Sequence, residues 1–275
     1  YAWRVVRRGL WWLTRRRRSR NARAMPLFYL RRLTAVERTP QANRHLAYIL
    51  ALVAGAVNAG GFLAVQQYTS HMSGILSSMA DHLALGGVAF FLQGLAALLF
   101  FVLGAGTSAV LINFGRRSRL ASEYALPLLL EAGLLLCFGL LGGNIEQFRW
   151  LAVPATVMLL CFIMGLQNAI ITKISRAEIR TTHVTGMVTD IGIELGKLFY
   201  WNVSREADPG HFVKADRAKL RVLAMLVGLF FAGGVGGALS FAYFGFVSTV
   251  PLAVLLGLLA VVPVAEDIQG YWRHH

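Results

Sequence analysis

The sequence predicts an all-α polytopic membrane protein, with six transmembrane helices in two inverted three-helix repeats. Each repeat also carries a short re-entrant or interfacial motif helix. Three observations predict this. Of the 275 residues, 56% are hydrophobic and only 15% charged, against about 25% charged in soluble domains, and the mean hydropathy is +0.58. Six stretches are long and apolar enough to cross a bilayer, which takes about 20 helical residues. The chain also matches itself, in order, across its whole apolar body. Disorder, collagen, coiled coil and a disulfide-stapled secreted domain are excluded by the composition.

The net charge of +14 is concentrated at one end. Residues 1–44 hold thirteen arginines and a single acid, Glu37, and the remainder is close to neutral. Residues 1–44 therefore read as a basic cytoplasmic arm that sets topology and touches anionic lipid headgroups. No nucleic-acid recognition module accompanies the arginines, so nucleic acid is not expected as a partner. For residues 1–24 two readings stay open. Trp3, Leu10, Trp11 and Trp12 among arginines suit an interfacial amphipathic helix, or Met25 is the native start.

The expected spans run 46–67, 88–112, 124–143, 150–172, 220–246 and 248–265. Segments 70–86 and 182–200 are too polar for lipid-facing spans and are expected to be re-entrant or interfacial. The loop with Arg116, Arg117 and Arg119 and the loop 173–219 are rich in Lys and Arg, whereas 144–149 holds only Arg149 and 246–248 holds none. Six spans with both termini cytoplasmic place every basic loop inside.

The internal matches divide the body into a first repeat, 45–145, and a second, 146–268, followed by a cytoplasmic tail, 269–275. Gly55, Asn58 and Ala59 match Gly165, Asn168 and Ala169; His71, Ser73 and Gly74 match His183, Thr185 and Gly186. Phe100-Phe101 with Gly104 and Gly106 match Phe230-Phe231 with Gly234 and Gly236, and Pro127-Leu128 matches Pro251-Leu252. Three spans per unit is an odd number, so the second unit must enter the membrane inverted, an architecture common among secondary transporters.

Several residues invite a functional reading. Ser70, Ser73, Thr182 and Thr185 are good helix N-caps, and Gly74 and Gly186 permit close approach, so the two turns could present helix N-termini to an anion or carboxylate. Alternatively the glycines serve helix crossing and the hydroxyls satisfy backbone carbonyls. Asn58, Gln167 and Asn168 lie within apolar spans, where they either line a substrate site or tie helices together. Glu131, in a leucine-rich span, is the proton-coupling candidate, since an intramembrane acid must be neutral or paired. Asp81 and His82 are adjacent rather than one turn apart, so no metal site is expected. Cys137 and Cys161 read as packing residues. Gly233 and Gly237 form a GxxxG pair for packing between the halves or dimerisation. No cofactor fingerprint or catalytic motif occurs, so an enzyme is not expected.

The run Val53-Ala-Gly-Ala-Val-Asn58-Ala59-Gly-Gly-Phe62, the turn His71-Met-Ser-Gly74, Met164-Gly-Leu-Gln-Asn168-Ala169 and Thr181-Thr-His183-Val-Thr-Gly186 resemble the YoaK-like family of bacterial inner-membrane proteins. The resemblance covers about residues 25–268 and implies a six- to seven-span membrane protein with a domain of unknown function. The family often has an acid where Asn58 stands and Asn-Met-Thr-Gly where this chain has His71-Met-Ser73-Gly74. The functional expectation is a small secondary transporter or facilitator of an anionic or carboxylate-bearing solute. The alternative is a non-transporting subunit or scaffold of a larger membrane complex; a homodimer is a further option.

Overall fold

The computed structural model describes residues 40–118, 120, 122–143, 149–174, 183–200 and 213–274. The basic arm before residue 40, Thr182, Arg119 and most of the 144–149 loop lie outside these. The described elements are helices: α1 (Pro40–Val65), α2 (Met72–Ala84), α3 (Val88–Arg117), α4 (Ala125–Gly142), α5 (Arg149–Ile174), α6 (Val184–Phe199), α7 (Arg217–Phe244), a 3-10 turn (Gly245–Ser248) and α8 (Thr249–His274).

Local chemistry accounts for the boundaries. Pro40 opens α1, where its missing N–H costs nothing. Asp216 caps α7, its carboxylate accepting from the backbone N–H of Ala218 at 2.9 Å and of Lys219 at 3.0 Å. α3 closes on Arg116 and Arg117, cations that suit the negative end of a helix.

Five stretches are long and apolar enough to cross a membrane: Asn43–Val65, Val88–Arg117, Ala125–Gly142, Ala152–Ile174 and Arg217–Val261. Such an all-helical chain is consistent with a polytopic membrane protein. The last stretch has 45 residues, more than twice the ~20 a bilayer core needs. It joins the expected fifth and sixth spans across the 3-10 turn, which opens on Gly245 at φ +61°, a left-handed conformation glycine adopts without strain. Helix α8 continues through His274, so the expected tail begins as helix.

Helix directions follow from named contacts. The side-chain amide of Asn43 donates to the carbonyl of Ile174 at 3.3 Å, and that of Gln167 to the carbonyl of Leu50 at 3.4 Å, so α1 and α5 run antiparallel. α1 and α7 run parallel: Gly233 lies against Leu52, Gly55 against Phe230, Gly237 against Ala56 and Gly60 against the ring of Phe241. α3 and α5 also meet closely, Gly104 against the carbonyl of Phe162 and Gly165 against that of Phe101. At Gly55, Gly104, Gly165 and Gly233 an added Cβ would fall into the partner helix's carbonyl oxygen. Between apolar helices in lipid there is little hydrophobic drive, so such backbone approach supplies the packing. In the α1–α7 pair it is Gly233, next to the Gly234 that the internal sequence match aligns with Gly104, that meets a facing carbonyl. The pattern of buried and half-buried positions over 51–60 is repeated position for position over 161–170.

The main core gathers Leu46, Leu50, Val53, Val57, Leu128, Phe138, Leu160, Ile163, Leu166, Leu226 and Leu256. α4 meets α8 at its C-terminal end, with Gly139 against Thr249 and Gly142 against the ring of Phe246.

Candidate functional site

The chain leaves α1 through a left-handed Gln66, φ +56°, whose N–H bonds the carbonyl of Phe62 at 2.8 Å and closes the helix. It then folds back along α1. Ser70 Oγ donates to Asn58 Oδ1 at 2.8 Å. Asn58 sits seven residues before the end of α1, about 10 Å along the axis at 1.5 Å per residue. α2 thus starts well below the end of α1 and returns outward antiparallel to α3. Ile75 and Met79, one helical turn apart, bury against α3, where Gly94 makes room for the Met79 side chain. Cys161 of α5 and Ala97 complete this small cluster.

The N-cap residues are His71 and His183 rather than the expected serines and threonines, and neither helix start receives a side-chain capping bond. The His-x-x-Gly spacing has a direct reason. The imidazole of His71 lies over Gly74, and that of His183 over Gly186; a Cβ at either glycine would collide with the ring. Both turns are built alike. Ser73 and Thr185 are exposed.

A cavity of about 580 Å³ opens beside the first turn. Its walls come from the end of α1 and the following link (Phe62, Gln66, Gln67, Tyr68), from α2 (His71, Gly74, Ser78, Met79, His82), from the start of α3 (Phe90, Gln93, Gly94) and from α5 (Val153, Pro154, Val157, Met158). Among the described lining residues none is an Asp, Glu, Lys or Arg. Two ring pairs line it, Phe62–Tyr68 at 4.6 Å between centroids and His82–Phe90 at 4.7 Å, both stacked.

Of the residues expected to form the site, Asn58, Ser70, His71 and Gly74 come together here, with His71 and Gly74 on the cavity wall. Gln167 is fully buried and ties α5 to α1 through Leu50. Asn168 donates to the carbonyl of Met164 in its own helix at 2.8 Å. His183, Thr185 and Gly186 begin α6, away from this cavity. Glu131 is fully buried in α4, neither carboxyl oxygen has a hydrogen-bond partner among the described residues, and it is not on the cavity wall. Gln66, Gln67, Tyr68, Ser78, His82, Phe90 and Gln93 were not anticipated. The legible signal was Gly74, Ser78 and His82 at four-residue spacing, one face of a helix.

The α6–α7 hairpin is held differently. Glu194, nearly fully buried, accepts from Lys197 Nζ at 2.9 Å and from the backbone N–H of Asp216 at 2.7 Å. Lys219 pairs with Asp190 at 3.2 Å. The Lys197 hydrogen bond, followed by that of the Asp216 N–H, holds the Glu194 carboxyl below its ordinary range. Asp216 is lowered by the capping bonds of the Lys219 and Ala218 N–H groups.

Residues 46–262 match the family model described as "Protein of unknown function (DUF1275)". The chain belongs to the DUF1275 family. The match spans every candidate membrane stretch nearly whole and includes the cavity, both motif turns and Glu131. No curated protein and no solved structure matches the chain.

Proposed function

We propose that this DUF1275 protein is a small secondary transporter or facilitator of an anionic or carboxylate-bearing solute, and not an enzyme. It would sit in the bacterial inner membrane as six spans in two inverted repeats, with both termini cytoplasmic. The YoaK-like resemblance of the motifs fits the same reading. The repeat is supported by the glycine–carbonyl approaches of Gly55 and Gly165 and of Gly104 and Gly233, and by the common burial pattern of 51–60 and 161–170. Counting α7 and α8 separately at the Gly245 turn yields six spans. α2 and α6 are then re-entrant hairpin arms, and the basic arm faces anionic headgroups on the cytoplasmic side.

The observation that carries the transport reading is the 580 Å³ cavity at the first motif turn, a size typical of small-solute sites. Under this topology it opens to the outside. His71 and Gly74 bring the uncapped start of α2 to its wall, where free N–H groups favour negative charge. Glu131, buried without a partner, is the candidate for proton coupling.

Proteoliposome uptake of labelled benzoate, succinate and acetate tests the proposal. Uptake of at least one, lost in His71→Ala and made insensitive to pH in Glu131→Gln, is the expected result. No uptake of any, by protein shown to be folded, would sink it.

A second reading draws on the tight centre, where Leu50, Val53, Ile163 and Leu166 are fully buried around the glycine crossings. A permanently closed centre suits a non-transporting subunit or scaffold, alone or as a dimer. Co-purification of a fixed partner without any solute effect would favour it.

A further inference from the structure

We infer that the solute of the cavity beside α2 is recognised through a planar aromatic ring. The inference rests on the carrier reading above and names its substrate class: aromatic acids of about the size of benzoate. Two observations carry it. The stacked pairs Phe62–Tyr68 and His82–Phe90 both line the cavity, and one member of each keeps much of its surface open, Tyr68 at 50% and Phe90 at 58% exposure. A third ring can therefore extend either stack. Aromatic pairs gain stabilisation beyond the area they bury.

The second observation concerns what is missing from the wall. Among the described residues that line it there is no Lys, Arg, Asp or Glu, so the described wall offers a carboxylate no fixed cation. Binding of a small acid must draw its affinity from the non-charged part of the solute. An aliphatic chain meets rings without stacking on them; a flat ring meets them face to face or at an offset. The side-chain amides of Gln66 and Gln93, also on the wall, supply directional hydrogen bonds to ring substituents.

The test is equilibrium binding of radiolabelled benzoate to the full chain in lipid nanodiscs, with two unlabelled competitors. Cyclohexanecarboxylate has the same charge and similar bulk without a flat ring; benzamide has the ring without the charge. The expected result is that benzoate binds saturably and that cyclohexanecarboxylate competes about tenfold more weakly. Phe90→Leu and Tyr68→Leu, both at exposed positions, should narrow that preference to about threefold or less. Equal competition by cyclohexanecarboxylate overturns ring recognition and leaves the carboxylate reading standing. Equal competition by benzamide, with cyclohexanecarboxylate weak, upholds ring recognition and overturns the need for an anion. Absence of saturable benzoate binding overturns the inference; uptake of succinate or acetate by the same protein would show that the transport reading survives it.

Discussion

The α2–α3 and α6–α7 hairpins start alike and finish differently. In both, a histidine N-cap folds its ring over a glycine three residues on, and two apolar residues one turn apart bury against the neighbouring helices. At the far end the first hairpin has His82 stacked on Phe90 and a Gly86-Gly87 turn, beside an open cavity. The second has Glu194 bound by Lys197 and by the N–H of Asp216, with Lys219 on Asp190. A ring stack tolerates sliding, whereas a buried carboxylate with two donors fixes the spacing of the helices that hold it. The difference teaches that one backbone plan can be closed by a ring stack in one hairpin and by a buried, charge-assisted bond network in the other.

The largest expected effect falls on what the halves share. Gly55→Val and Gly165→Val each drive side-chain atoms into a facing backbone carbonyl, and overpacking of this kind costs about 1–3 kcal/mol or more. Both should lose most folded protein in size-exclusion profiles. Tolerance of one but not the other would break the equivalence of the two crossings.

Next comes the pinned hairpin. Glu194→Ala strips Lys197 and the Asp216 N–H of their acceptor, and should lower Tm by several degrees while speeding hydrogen exchange in α6. His82→Ala, which removes only a stack, should shift Tm far less. Equal shifts would erase the contrast.

Acid should separate the hairpins too. Glu194 and Asp216 have folded pKa values below their ordinary ones, so their contribution is complete above the usual carboxylate range and is lost as pH falls through the lowered values. Amide exchange in α6 and the start of α7 should accelerate at low pH, with α2 little changed. Uniform acceleration would contradict the assignment.

Smaller effects test the turns. Gly74→Ala should destabilise, and the double variant His71→Ala/Gly74→Ala should recover most of the loss, because the clash is with the imidazole itself. The same pair at His183 and Gly186 should behave identically. Smallest is Gln66→Gly. It relieves a left-handed non-glycine residue and should gain about 1 kcal/mol, at the cost of one amide on the cavity wall.

Much of this was legible in the residues. Apolar run length located the first four candidate stretches to within about five positions, because a bilayer demands about 20 helical residues regardless of neighbours, whereas the expected fifth and sixth fall in one stretch, Arg217–Val261. The His-x-x-Gly repeats at 71–74 and 183–186 marked the two helix starts because a local turn depends on local residues. The cavity was only partly legible. His71 and Gly74 were flagged, but Gln66, Tyr68, Phe90, Gln93 and Met158 come from three separate segments, and no spacing rule links them. Which glycine of α7 meets the α1 backbone was not legible, since the sequence offers Gly233, Gly234, Gly236 and Gly237 and only helix rotation selects Gly233.

By itself, then, the sequence determined the solvent: an apolar, helix-forming chain with the charge swept to one end must place its body in lipid, because each backbone group there has to be satisfied within its own helix. It determined the two motif turns for the same local reason. Which helix meets which, that Glu194 reaches across to the Asp216 N–H, and that rings from α1, α2 and α3 gather around one cavity were decided by the tertiary structure. Those features depend on the rotation and tilt of packed helices, set by the sum of many weak contacts rather than by any one residue.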